Sequence, residues 1–520
     1  MRLRRNIAPL LILFVPLAVY VYFALKEIAV SLPRLRLSAI MESAGPLRES
    51  LIIAGATTLL SLLIGSVLGY LFSRTNLAGK RLLGYLCCLP FFIPPYVQAY
   101  AWVFLLGKKG VINQALMNAF SLSKPLLSVY GIPGAIWTLT LSYFPVMTFL
   151  VFAGLESWAP SLEESGSLHY PRLKTVRHIA FPLIAPHLLA GAMLTFIFSL
   201  SQFGVPALLE VRTYSVELFV QISAFFNKSE VLLRTFPLMI LVGLMAIGLY
   251  KTKEKGSFSL SQLGHRTESI RLGAAGQLLG AGFALGLVFL AVLLPVGALL
   301  YQSRGAGVVL RALGESKDAV LFSLWTALAA ACCVVFLSVP LTSRVKEAGA
   351  ELSLKLAAIS LLMVPGAILG MGMILLWNNR WTGFIYSSPA VLILTYVVLF
   401  VPYGLLAVMA NRKQIDKSGL EAAALSGAGR FTVFRKILFP LLRPGLKAAW
   451  LVTFILCLGE LAATIMVIPP GKETISLRVF SAMHYGESSM IAAASLMPLI
   501  LSAAVLVLLP AARTARKAWT

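Results

Sequence analysis

Residues 162–186 read LEESGSLHYPRLKTVRHIAFPLIAP, and residues 420–444 read LEAAALSGAGRFTVFRKILFPLLRP. The two stretches align without a gap at an offset of 258 positions (420 minus 162). Leu162/Leu420, Glu163/Glu421, Arg172/Arg430, Arg177/Arg435, Ile179/Ile437, Phe181/Phe439, Pro182/Pro440, Leu183/Leu441 and Pro186/Pro444 are identical. The register runs on, with Thr195-Phe196-Ile197 matching Thr453-Phe454-Ile455. Nine identities in 25 ungapped positions are hard to reach by chance. Each copy reads as an acid-headed helix, a turn, a basic amphipathic helix and then a proline that opens an apolar run. The chain is therefore read as an internal duplication.

The surroundings of the repeat say what kind of chain this is. Of 520 residues, 59% are hydrophobic and 12% charged, and the mean hydropathy is +0.87. About a quarter of a soluble domain is charged, so lipid must be the solvent for much of this surface. Twelve apolar runs are long enough to span a bilayer, which needs roughly 20 residues. They are 7–28, 50–73, 83–106, 131–156, 187–209, 231–250, 276–300, 318–341, 355–377, 387–409, 446–468 and 490–511. Prolines inside them, such as Pro94, Pro95, Pro145, Pro365 and Pro402, are expected to be tolerated where neighbouring helices satisfy the freed backbone groups. The expected fold is an all-α polytopic membrane protein of two homologous six-helix halves.

The net charge of +24 fits membrane topology, because cytoplasmic loops collect Lys and Arg. The basic residues lie scattered between apolar runs, which argues against nucleic-acid binding. Twelve spans put both termini in the cytoplasm, with the first run retained as a helix rather than cleaved as a signal. Both copies of the repeat then fall on the inner side, between the fourth and fifth spans of their halves. The expected organisation is a first half over 1–250 (core 50–250), a cytoplasmic linker over 251–275, and a second half over 276–520 (core 318–511). Cys87, Cys88, Cys332, Cys333 and Cys457 lack metal or CxxC spacing and read as small core residues.

Glu421-Ala422-Ala423, then Gly427, Ile437 and Pro440 resemble the EAA loop of bacterial ABC importer permeases, with Phe439 in place of the usual Leu. The first copy departs from the pattern, since Glu163-Glu164-Ser165 replaces EAA and His169 stands at the turn glycine. Two permeases fused in one chain are similar to the ferric-iron permease group. Leu89 to Tyr96, Phe203 to Leu209, Gly459 to Thr464 and Pro469-Pro470-Gly471 support this. Thiamine, phosphonate, polyamine and sulfate permeases share parts of the pattern, and the resemblance leans to ferric iron. It implies a type I importer fold and an inner-membrane location. It also implies two separate ATP-binding cassette subunits, contacted through Glu163, Gly166, His169, Glu421, Ala422, Ala423 and Gly427. A periplasmic or lipid-anchored binding protein would deliver solute from the other side.

The chain has no GxxxxGK[ST], so it carries no phosphate-binding loop of its own. No catalytic constellation, cofactor motif or metal-ligand spacing is found, so no enzyme is expected. An ion-coupled secondary transporter is the competing class, because twelve spans with a pseudo-twofold repeat also describe those. It leaves the paired inner loops unexplained. Loops 107–130, 210–230, 302–317 and 469–489 are the expected outer surface for a binding protein. Glu460 is the one clear acid inside a span, and at the 258 offset its counterpart is Gln202. An acid near the bilayer centre rarely faces lipid. The pair is expected to line the path between halves, where an acid favours a cation. The alternative is a structural role for Glu460, bonded to a neighbouring helix or near the outer mouth.

Overall fold

The computed structural model describes residues 37–156, 181–223, 270–343, 348–362, 364–413 and 429–508, with isolated positions at 15–26, 237–245, 415, 423, 425 and 426. Most of the first span, of the sixth, of the linker and of the first copy of the repeat lies outside the described residues. So do Glu163, Gly166, His169, Glu421, Ala422 and Gly427.

The described chain is helical, with one isolated parallel β-bridge between Thr75 and Ile270. The first half contributes α1 (Leu37–Arg74), α2 (Lys80–Cys88), α3 (Pro95–Leu106), α4 (Val111–Phe120), α5 (Ile132–Glu156), α6 (Phe181–Leu200), α7 (Gly204–Leu208) and α8 (Tyr214–Ser223). Then come α9 (Ala274–Gln302), which contains a π turn at Phe289–Leu293, and α10 (Ala306–Glu315). The second half continues with α11 (Lys317–Ser343), α12 (Ala348–Leu362), α13 (Gly366–Trp377), α14 (Gly383–Tyr386) and α15 (Ala390–Lys413). It ends with α16 (Phe439–Gly459), α17 (Thr464–Val467), α18 (Ile475–Tyr485) and α19 (Ser488–Leu508).

Among the described residues, six helices are long and apolar enough to cross a membrane, or eight if each of two bent pairs is one span. The lipid-facing character is visible in side chains such as Leu63, Leu278, Leu293 and Phe336, which are large, apolar and exposed. Cys332 and Cys333 are also exposed on α11, so only Cys87 and Cys457 are the buried core residues expected of all five.

Four of the expected spans are not continuous helices. The run 83–106 bends by 92° between the 80–92 segment and the helix that starts at Pro95, and 355–377 bends by 99° between α12 and α13. Proline is the cause. Pro94 and Pro365 cap the second helix of each pair with closely matched dihedrals, φ −55 ψ 128 and φ −57 ψ 139. A proline pushes the preceding residue out of helical space, and Ile93 is extended at φ −87 ψ 120. The run 187–209 stops at Leu200 and resumes at Gly204, while 446–468 stops at Gly459 and resumes at Thr464. Pro145 and Pro402, by contrast, stay inside α5 and α15.

Without a hydrophobic drive between helices in lipid, small residues let backbones approach. A methyl on Gly65 of α1 would lie 2.6 Å from Met147 Cβ and 2.7 Å from the Thr148 backbone nitrogen of α5. In the second half the glycine is on the other helix: a methyl on Gly404 of α15 would lie 2.4 Å from Val334 Cγ1 of α11. Further along, His187 of α6 packs against Gly154 of α5, whereas Asn411 of α15 packs against Gly445 of α16.

Helix α9, the first of the second half, packs on the first half. Its Ala284, Leu287, Val288 and Ala291 share one core with Leu68, Trp102, Leu139 and Phe144. Pro295, four residues on, has no N–H to offer the Ala291 carbonyl, which accepts instead from the fully buried Gln98 side chain at 2.9 Å. The end of the linker is also held there. The Ile270 amide donates to the Arg74 carbonyl (2.8 Å), and the Leu272 amide to Asn76 Oδ1 (2.8 Å).

Candidate functional site

The four helix breaks converge on one cavity of about 210 Å³. Its walls include 91–96 from the first bend, 201–204 from the α6–α7 break, Leu361, Val364 and Gly366 from the second bend, and 459–462 from the α16–α17 break. Each half thus gives two interrupted segments, and the cavity lies where they meet. Phe91, Phe92, Tyr96, Tyr143, Phe198, Phe203, Phe400 and Tyr403 bring aromatic rings to a largely apolar lining. Among the described residues, Glu460 is the one charged side chain on the wall.

Glu460 follows the last residue of α16 with an extended backbone (φ −73, ψ 131). Its carboxylate turns back onto the start of α17. Oε1 accepts from the Ala463 amide and Oε2 from the Thr464 amide, each at 2.8 Å, and the Thr464 hydroxyl also donates to Oε2. Since that hydroxyl proton is used, Tyr396 is the donor in its 2.9 Å contact with Thr464 Oγ1. Ser476 Oγ donates to the Glu460 carbonyl at 2.8 Å, which ties α18 to the same point. Charge-assisted bonds of this kind are the strong ones.

Gln202 stands at the matching place after α6 and on the same cavity, but its side chain goes elsewhere. Its amide donates to the Tyr143 hydroxyl on α5 at 2.6 Å. The short helix α7 that follows has no side-chain cap. The two sequence-matched positions therefore share a location and differ in use. The aromatic lining was not foreseen from the sequence. Its signal was the Pro94-Pro95 and Pro365-Gly366 pairs, because Gly/Pro-interrupted apolar segments at corresponding places in two halves point to a solute path.

Of the expected inner-loop residues, Ala423 is described. It is buried, its carbonyl accepts from Ser426 Oγ at 2.9 Å, and the neighbouring Leu425 is 89% exposed. Phe431, Arg435 and Lys436 beyond it are exposed as well. In the 107–130 loop, one residue ties several backbone groups together. Buried Asn113 donates to the carbonyls of Leu106, Gly107 and Leu127 and accepts from the Leu127 amide.

Residues 350–515, which contribute the second-half walls of the cavity, match the family described as binding-protein-dependent transport system inner membrane component. Over this stretch the chain is similar to that family. Relatives extend the likeness over both halves. An Fe(3+)-transport system permease protein, FbpB 2, of Haemophilus influenzae is 23% identical over 84% of this chain and 83% of its own length. A ferric transport system permease protein, FbpB, of Actinobacillus pleuropneumoniae is 24% identical over 80% of this chain and 64% of its own length. The spermidine/putrescine transport system permease PotC of Escherichia coli is 31% identical over 111 residues, 21% of this chain and 42% of PotC. The proteins it resembles are inner-membrane transport subunits, which are not enzymes themselves.

Proposed function

We propose that this permease forms the path of an ABC importer for ferric iron, with twelve spans and both termini in the cytoplasm. Two separate ATPase subunits engage the inner loops at 162–186 and 420–444. A binding protein delivers solute to the outer loops 107–130, 210–230, 302–317 and 469–489. Gln202 and Glu460 line the path. The observation that carries the reading is the convergence of four helix breaks, two from each half, on one cavity with a single acid among its described wall residues. Such a site is where alternating access between two halves would act. The names of the relatives that match most of the chain supply the ferric solute.

The test is uptake of radioactive iron in cells stripped of their own ferric importers. The permease is expressed with and without its neighbouring ATPase and binding-protein genes. Uptake should require the ATPase and survive collapse of the ion gradients. Gly427→Val should detach the ATPase by straining a left-handed turn. Iron uptake without any ATPase, or full assembly and transport by Gly427→Val, would sink the coupling assignment.

A further inference from the structure

Two of the long apolar helices carry the same interruption. Residues 289–295 read FLAVLLP and residues 434–440 read FRKILFP, with Phe289/Phe434, Leu293/Leu438 and Pro295/Pro440 identical. Each folds as a π turn, over Phe289–Leu293 and Phe434–Leu438. In both, the next amide, that of Leu294 or Phe439, reaches back five residues to the phenylalanine carbonyl. The proline that follows has no N–H to offer. One donor is displaced and the next is missing, so the ladder that stiffens a helix is thinned twice in a row. Proline alone does not do this: Pro46, Pro145, Pro340, Pro402 and Pro498 sit in unbroken α-helix. Single π turns recur at functional sites and at kinks.

Each π turn stands where the chain passes from one packing unit to another. The part of α9 before Phe289 is fixed to the first half. The Asn76 amide donates to the Ile270 carbonyl (3.2 Å), the Ala78 amide to Gln277 Oε1 (2.9 Å), and the Gln277 side-chain amide to the Asn76 carbonyl (3.1 Å). Ala284, Leu287 and Val288 then lie in the first-half core. Past the turn, Leu299 shares a core with Val479, Ile491 and Ala492 of the second half as well as Tyr96 and Tyr100 of the first. The second π turn separates the helical turn Arg430–Val433, where Phe431 is exposed, from α16. In α16, Leu442, Leu446 and Ala449 pack with Val408, and the far end of the helix leads to Glu460 on the cavity wall.

We propose that these two π turn–proline segments are the flexures of the transport cycle. The one at 289–295 lets α9 stay on the first half while its far end follows the second. The one at 434–440 lets the inner loop move against α16, and so reach the cavity. Hinges are a few positions that absorb the change while the packed elements on either side stay whole. The inference rests on the alternating-access reading above.

The test replaces Pro295, and separately Pro440, with Ala and with Gly. Both restore the N–H, but Ala stiffens the helix and Gly leaves it softer. Melting temperature should rank Ala above Gly. ATP-dependent iron uptake, per ATPase that co-purifies, should rank Gly above Ala by about fivefold, the factor that matches their difference in helix propensity. Against the wild type, Pro295→Ala should lose about tenfold. A merely structural proline would make uptake follow melting temperature. ATP hydrolysis by the purified complex should give the same order, which separates the flexures from the choice of ferric iron as solute. Wild-type uptake and hydrolysis by Pro295→Ala and Pro440→Ala overturn the proposal, as do Gly variants no more active than their Ala counterparts. A wild type that takes up iron without the ATPase overturns the importer reading, and the flexures with it.

Discussion

The two halves solve the same packing problems with the parts exchanged. Where α1 crosses α5, the glycine is on the first helix and Met147 on the second; where α11 crosses α15, Val334 is on the first helix and Gly404 on the second. Arg74 at the end of α1 donates to the Leu155 carbonyl at the end of α5 (2.9 Å), while Arg412 at the end of α15 donates to the Thr342 carbonyl at the end of α11. Elsewhere in the halves, the Tyr214 amide donates to Ser50 Oγ and the Ile475 amide to Ser323 Oγ, at 2.7 and 2.8 Å. Beside these matched bonds the flanking ion pairs are reversed, with Arg212–Glu217 in one half and Glu473–Arg478 in the other. What is kept between halves is the fit of each pair. The assignment of large to small, or plus to minus, is free as long as both members change together, so position-by-position identity understates the likeness of the halves.

The largest effects should come from the helix crossings. Gly65 meets backbone atoms of α5, with Thr148 N at 2.7 Å and the Met147 carbonyl carbon at 2.9 Å, while Gly404 meets side chains, Val334 Cγ1 and Ser338 Oγ at 2.8 Å. Overpacking costs typically ~1–3 kcal/mol, occasionally more. Gly65→Ala should reduce assembled permease sharply, and Met147→Ala should not restore it. Gly404→Ala should be rescued by Val334→Ala. Detergent-solubilised yield and thermal unfolding of the four variants check this, and equal rescue of both glycines would remove the distinction.

The next comparison is Glu460 against Gln202. Glu460→Gln weakens three bonds at the start of α17, while Gln202→Ala releases only Tyr143. The first should cost about 1–3 kcal/mol of local stability and lower uptake more than the second. Uptake and basal ATPase activity of membranes with verified assembly give the order. The idea fails if Gln202→Ala proves the more damaging.

The smallest effects belong to the reversed ion pairs. Glu217 is 8% exposed and accepts from both Arg212 and Gln221, whereas both members of Glu473–Arg478 are 36% exposed. Exposed pairs contribute ~0–1 kcal/mol. Glu473→Ala should therefore be nearly silent in thermal unfolding and Glu217→Ala measurably destabilising. Exchanging Glu473 and Arg478 should restore what either change loses.

The helical membrane character, the duplication and the matched pair at 202 and 460 could be read from apolar run length and a gapless repeat, because both signals are local or survive at fixed offset. The breaks could not be read the same way. Hydropathy is blind to direction, so the window over 83–106 stays apolar while the chain turns by 92°. The dihedral constraint of Pro94 was visible, but Pro145 and Pro402, equally apolar in context, leave their helices continuous. The double use of Glu460 was also hidden, since a cap on Thr464 depends on where the carboxylate turns after Gly459. Nor could the sequence place α9 against the first half, because that packing joins residues far apart in the chain.

That packing sets a timetable for synthesis. Gln98 and the Ala291 carbonyl it bonds are 193 residues apart. At ~5–20 residues per second, roughly 10–40 s pass between the emergence of one partner and the other. Until α9 arrives, the first half carries an open groove beside Trp102 and Leu139 and a polar amide awaiting its acceptor at membrane depth. The first half thus matures only after the second has begun to insert, and a ribosome stalled in the linker leaves an unfinished half for membrane quality control to meet.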